Sequence, residues 1–466
     1  MRGTLGARPR RGWLWAVVGA ALVVAAVGLW RGVEVGPAPE VTIETGRPAI
    51  GAATAVVAHF VAPRAGLGSV RLELVQGDHV AVLGEQRFSR PGVFAFGLGA
   101  RTREARIEAT VGTKTQEWLA EGEAVLRASA DRLAGPLRSP AAVTVEQRIP
   151  VRVRPPSLEV VSTQEYVREG GSGLIRLRVG ATAVRSGVVA GGVESDSFPM
   201  PDAAAGERFV LYAVPWDLAD GSGIRAFAED DAGNRAEASF LSGFKVAPPS
   251  TDTITLTDAF LTRVVPAIES RTPGLKTAGS LVDQYLVING ELRRDDLAKI
   301  RTLTHDSVGR FLWRGAFLQM PNTAKRANFA ERRTYVYAGK VVDHQTHLGL
   351  DLASTSHAAV PAANAGRVVH AGWLGIYGNA VIIDHGYGLA SLYGHLSEVE
   401  AKVGQEVERG QTIGHSGTTG LAGGDHLHFE VFVQGESVSP IEWLDGKWIR
   451  DNVASKLGAV GATLVQ

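Results

Sequence analysis

The sequence predicts a mainly β chain: one apolar N-terminal helix, two β-sandwich modules, a partly helical connector and a C-terminal β domain. Three observations predict it. Short apolar runs alternate with charged residues at period two, as strands with one buried and one wet face require. Many of the 56 glycines and 21 prolines fall between those runs, where turns need them. No stretch between residues 46 and 154 carries a sustained helical period. The 466 residues suggest about three folded units. A composition 45% hydrophobic and 21% charged can bury their cores.

Taken in order, residues 1–11 hold Arg2, Arg8, Arg10 and Arg11, and residues 12–30 (GWLWAVVGAALVVAAVGLW) are uncharged. Nineteen such residues approach the ~20 that cross a bilayer core as a helix. Trp13, Trp15 and Trp30 stand at the ends, where aromatic rings favour the interface. The arginine excess before the span puts the N-terminus in the cytoplasm and the bulk of the chain outside. Its last residues, Leu29-Trp30-Arg31, are poor cleavage chemistry for a signal peptide. The expected location is therefore the inner membrane, crossed once, with the C-terminal bulk in the periplasm.

Residues 46–154 read as a β-rich module. Val70, Leu72 and Leu74 alternate with Arg71 and Glu73, and Ala105, Ile107 and Ala109 with Arg106 and Glu108. Pro155-Pro156 marks a boundary before a second unit, 155–247, in which Ile175, Leu177 and Val179 alternate with arginines. Its segment Ala228–Ala236 (AEDDAGNRA) resembles the closing hairpin of bacterial immunoglobulin-like domains, which implies a sandwich for this unit and suggests one for the first. These modules are expected to act as spacers, with protein partners as the other use of their surfaces. Residues 250–335 form a mixed connector: Asp258 precedes Phe260, Leu261, Val264 and Val265 at helical spacing, Pro266 should end or kink that helix, and Asp295-Asp296 precede Leu297 and Ile300. The domain 336–448 follows, and 449–466 read as a short, weakly structured tail.

With 48 basic and 48 acidic residues the net charge is zero, which argues against a nucleic-acid partner. The absence of cysteine excludes disulfides, thiolate nucleophiles, iron–sulfur clusters and Cys-based zinc sites. A metal here must be held by histidine and carboxylate. Nine of the 12 histidines lie between His344 and His428.

On a strand, alternate side chains share a face, so His426 and His428 project together while Leu427, Phe429 and Val431 face a core. His347 and Asp351 can converge on one helix face or across a bend at Gly349; the β-rich context favours the bend. Tyr393-Gly394-His395-Leu396 adds a further imidazole. Five such groups within about 80 residues suffice for three ligands and two unbound bases. Three protein ligands with one open position is the arrangement of catalytic zinc. His344, His357, His370, His385 and His415 have loop or structural contexts, with His357 a candidate to line the groove.

The motifs His347-x-Gly349-x-Asp351, Gly366-Arg367-Val368-Val369, Tyr377-Gly378-Asn379, Asp384-His385-Gly386, Tyr393-Gly394-His395-Leu396, Gly417-x-Thr419-Gly420 and His426-Leu427-His428-Phe429-Glu430 stand in one order over about 110 residues. This segment resembles the lysostaphin-type, LytM-domain zinc endopeptidases that cut peptide cross-links in bacterial peptidoglycan. It departs from the family at Ser391, where threonine is common, and at Phe329-Ala330, where Phe-Gly is frequent. The resemblance implies a small, mostly antiparallel β fold, one zinc ion per chain on His347, Asp351 and His428, and His395 and His426 as unliganded catalytic histidines whose separate roles stay open. It implies peptidoglycan stem peptides and cross-links as substrate. A zinc ion so held lowers the pKa of a bound water to about 7. A non-catalytic activator of other wall hydrolases and a structural adhesin are the alternatives. Family members are often held latent by an upstream segment, so part of 250–335 is expected to cover the groove.

Overall fold

The computed structural model describes residues 12–33, 37–63, 66–89, 101–133, 142–201 and 203–465; the expected cytoplasmic residues 1–11 lie outside them. Strand makes up 45% and helix 18%, so the chain is mainly β. The helix α1 (Gly12–Val33) covers the apolar run, with the side chains at 12, 14 and 28–33 outside the described set. Among the described residues no helix is long and apolar enough to cross a membrane.

The rest divides into two compact units, 1–155 with 229–234, and 156–228 with 235–466. In the first, an antiparallel three-stranded sheet (Glu40–Thr45, Thr54–Val61, Glu104–Val111) and a four-stranded sheet (His79–Arg87, Leu67–Gln76, Gly122–Arg132, Ala142–Val151) share one core. Val56, Ala58 and Phe60 from one sheet and Val70, Leu72 and Leu74 from the other are fully buried, so the period-two alternation is the packing face.

The second unit starts with two more four-stranded sheets within 158–238. Residues 250–305 then supply a strand (Ser250–Leu256) and the helices α2 (Asp258–Glu269), α3 (Leu281–Val287) and α4 (Arg293–His305). Thr257 rather than Asp258 caps α2, its hydroxyl accepting from Phe260 N at 3.2 Å, and Pro266 sits within the helix, which continues to Glu269.

Eight strands build the sheet that carries the histidines: β1 (Ala324–Ala327), β2 (Leu350–Ala353), β3 (Gly366–Trp373), β4 (Asn379–Gly386), β5 (Leu389–Leu396), β6 (Glu406–Val407), β7 (Leu427–Val433) and β8 (Glu436–Val438). The order is β1-β2-β7-β5-β4-β3-β6, with β8 pairing β7. All these pairings are antiparallel. One face, with Val381, Tyr393, Leu427, Phe429 and Val431, shares a core with Leu174, Phe209 and Leu211 of the sandwich. The other, with Ala380, Ile382, Leu392 and Phe432, packs against Leu261, Val264, Ile288 and Ile300 of the connector.

The expected weakly structured tail is not what residues 449–465 form. Among them α5 (Gly446–Asn452) ends and α6 (Gly458–Leu464) follows, and Ile449, Val453, Leu457 and Leu464 are buried in the core that contains Trp443. The segment orders because those side chains have apolar surface to bury. A further tie holds the sandwich: Gln434 accepts from Asp196 N at 2.8 Å and donates to the Asp196 and Leu211 carbonyls at 2.8 and 2.9 Å.

Candidate metal centre

His347 ends the strand Lys340–His347, Asp351 lies in β2 and His428 in β7. Asp351 and His428 face each other in register across β2 and β7. The His347–Asp351 pair therefore meets across a bend between two strands. Gly349 permits it by close approach, since a Cβ there would stand 2.7 Å from the His428 ring.

The three donors form a triangle: His347 Nε2 to Asp351 Oδ1 is 2.9 Å, His347 Nε2 to His428 Nδ1 is 3.0 Å, and His428 Nδ1 to Asp351 Oδ1 is 3.0 Å. Their outer partners decide what these atoms carry. His347 Nδ1 lies 2.8 Å from the Asn328 carbonyl, which only accepts, so Nδ1 holds the proton. His428 Nε2 lies 2.7 Å from Glu430 Oε1 and donates to it. In their neutral forms, with the outer nitrogens protonated, the rings turn two lone pairs and a carboxylate oxygen toward one point, where a proton or a cation can bind. Three acceptors at this spacing repel unless a cation lies between them, and two imidazoles with a carboxylate are a zinc donor set. Ligands about 2.0–2.1 Å from a tetrahedral zinc stand about 3.3 Å apart, so a small opening of the triangle fits the ion.

Electrostatics agree. Burial raises Asp351, but His347, His426 and His428 outweigh it and hold the carboxyl well below its usual range. Burial lowers His428, but Asp351 and Glu430 outweigh this and raise it to about 9. Burial keeps His347 low. A pocket that attracts a proton this strongly attracts a cation for the same reason.

His395 and His426 flank the triangle, their rings 4.9 Å apart. His395 Nδ1 donates to the Thr419 carbonyl and His426 Nδ1 to that of Gly424, both at 2.8 Å. With Nδ1 protonated, Nε2 is the acceptor of each neutral ring, and that of His426 stands 3.4 Å from Asp351 Oδ1. Burial holds His395 neutral, well below its usual value. Its backbone has φ 62, a strained conformation steadied by Asn379 Nδ2 and Thr419 Oγ1, which donate to the next carbonyl, that of Leu396. At Gly420, φ 71, a Cβ would strike the Ile376 carbonyl at 2.3 Å.

The five expected residues are brought together. Several supporting groups escaped the sequence reading. Arg333 donates to Asp351 Oδ2 at 3.0 Å, leaving Oδ1 for the cation. Tyr377 and Ser437 donate to Glu430 at 3.1 and 3.3 Å. Glu430 was legible, because it follows His428 by two residues on the same strand face. Arg333 and Asn328 come from a neighbouring strand and loop and carry no spacing signal. At the Phe329-Ala330 departure, Ala330 adopts φ 58, a conformation glycine takes more easily. His385 is structural: fully buried, bonded to Ala365 O and Ser391 Oγ at 2.7 Å each, and lowered to about 4 by burial.

The centre opens into a cavity of about 730 Å³ that His347, Asp351, His395, His426 and His428 line together with connector residues such as Phe260, Tyr285 and Arg326. The connector walls the site and leaves it a cavity rather than filling it. His357 is not among the lining residues.

Residues 345–440 match the model described as Peptidase family M23. The sequence is 37% identical over 141 residues to peptidoglycan DD-endopeptidase ShyA of Vibrio cholerae serotype O1, covering 30% of this chain and 32% of that protein. It is 38% identical over 96 residues to murein hydrolase activator EnvC of Escherichia coli, covering 21% and 23%. A solved structure of the catalytic domain of lysostaphin from Staphylococcus simulans aligns at 31% identity over 26% of this chain and 92% of that one, with a TM-score of 0.23. The chain spans about a third or less of the length of these curated relatives.

Proposed function

Because residues 345–440 form a Peptidase family M23 domain, we propose that the chain is a zinc-dependent endopeptidase that hydrolyses peptide cross-links of peptidoglycan. The observation that carries this reading is the convergence of His347 Nε2, Asp351 Oδ1 and His428 Nδ1, with each ring's outer nitrogen donating to a partner of its own. When bound, the cation supplies a Lewis acid for water and for the scissile carbonyl. The chain's own residues do the rest. Arg333 fixes the Asp351 carboxylate, and Glu430 fixes the His428 tautomer. His395 and His426 offer Nε2 as proton acceptors beside the ligands and, once protonated, can stabilise an oxyanion or protonate the leaving amine.

An anchoring role for the N-terminal segment rests on the sequence alone, 19 uncharged residues at 12–30 preceded by arginines. The chain would then sit in the inner membrane with its bulk in the periplasm, the two β modules acting as spacers. A direct bond between D-alanine and a diamino acid is the expected target.

The similarity to a murein hydrolase activator supports a second reading, a non-catalytic regulator of other hydrolases; the complete donor set supports catalysis. Zinc content and release of soluble peptides from purified peptidoglycan are measured together. One zinc per chain with peptide release is expected. A metal-free protein that only stimulates another hydrolase overturns the enzymatic reading.

A further inference from the structure

A second cavity, of about 510 Å³, adjoins the first. Arg293, Leu297, Arg333, Thr346 and Leu348 line both. Its walls carry four arginines, Arg293, Arg301, Arg332 and Arg333, against one carboxylate, Glu436. Arg301 is paired with Glu436 at 2.8 Å, and Arg333 with Glu331 and Asp351 at 3.2 and 3.0 Å. Among the described residues, Arg293 and Arg332 have no carboxylate within ion-pair distance.

Arg293 is the more informative of the two. It is half-buried and held by neutral groups, with Nε donating to Asn289 O at 3.1 Å and Nη2 to Asn289 Oδ1 at 2.6 Å. Asn289 is fully buried, and its own amide donates to Asp343 at 2.7 Å. It lies in a π-helical turn, Ile288–Leu292, directly before α4; such turns are rare and recur at functional sites. The guanidinium is therefore oriented by two of its five N–H groups while the rest stay available. Keeping a cation half-buried without a directly paired carboxylate costs free energy, and Asp296 acts on it only through space. A carboxylate from outside would offset that cost, and the planar fork of arginine matches one in bidentate fashion.

We propose that Arg293, assisted by the exposed Arg332, binds a free carboxylate of the substrate peptide and so aligns its scissile amide with the metal centre. This rests on the peptidase reading above and narrows it to peptides that carry an unmodified carboxylate near the cleaved bond. Stem peptides carry such groups.

The test compares cross-linked peptide dimers whose carboxylates are free with otherwise identical dimers whose carboxylates are amidated, on the full zinc-loaded chain and on Arg293→Ala, Arg293→Lys and Arg332→Ala. Amidation should lower kcat/KM of the unsubstituted chain by roughly 10- to 100-fold. Arg293→Ala should lose as much on the free substrate and almost nothing further on amidation. Arg293→Lys should recover part of the loss, and Arg332→Ala should lose less. Equal cleavage of free and amidated dimers by the unsubstituted chain, or an equal loss on both substrates in Arg293→Ala, overturns the proposal. If the unsubstituted chain cleaves neither dimer, the peptidase reading fails. Calorimetric binding of the intact dimers then still decides for or against Arg293, through the same dependence on carboxylate and arginine.

Discussion

Asp351 and Glu442 are buried to a similar degree, 8% and 6% exposed, and are driven in opposite directions. Asp351 faces three imidazoles and the Arg333 guanidinium, and its carboxyl is held well below the usual range. Glu442 lies where the sandwich meets the histidine-bearing sheet. Burial dominates there, and although it accepts from Ser172 N at 2.8 Å and Ser172 Oγ at 3.2 Å, it is pushed up to about 7. The nearest cation, Arg168, is 3.7 Å away and half-exposed. Depth alone does not decide whether a buried acid is charged. The polarity of its partners does, and only the metal end supplies positive partners that keep a carboxylate ready to ligate.

Asp351→Asn attacks that contrast most directly. It should abolish stoichiometric zinc and lower peptide release by roughly 10³-fold or more, with metal content checked by atomic absorption; a variant that keeps its zinc breaks the contrast. Next, His395→Ala and His426→Ala remove bases whose inner partners are backbone carbonyls. Each should keep one zinc per chain and lose about 10²–10⁴ in kcat. Glu430→Gln keeps the shape but weakens the acceptor of His428 Nε2, so competition with a chelator should report zinc bound about 10- to 100-fold more weakly.

The smallest effect belongs to Glu442. Its folded value, about 7, lies above the ~4.3 of an unfolded glutamate. Its contribution is therefore fully present below about pH 4.3 and is lost as pH rises through about 7. Between pH 5 and 8 the unsubstituted chain should lose a few degrees more in Tm than Glu442→Gln. Parallel melting curves would refute the assignment.

The metal end was largely legible in the sequence. Period two on β7 put His428 opposite Leu427 and Phe429, and a spacing of four positions joined His347 to Asp351 once a bend was allowed. The carboxylate at the sandwich was not legible. Glu442 meets Ser172 across 270 positions of sequence, and no local period encodes such a contact. Arg333 was hidden likewise, because Glu331↔His347 register across two strands, not sequence spacing, brings it to Asp351. The C-terminal helices did leave a signal, since Ile449, Val453 and Leu457 recur every four residues, but each helix is too short for that period to stand out alone.

The core that Leu174, Phe209 and Leu211 share with Leu350, Phe429 and Trp443 bears on how such proteins can be recombined. A graft that moved only residues 336–448 to a new carrier would cut through this core, leaving aromatic and aliphatic surface wet on both fragments and inviting aggregation. The transplantable cassette is the second unit taken whole, with the sandwich travelling as part of that unit's interior.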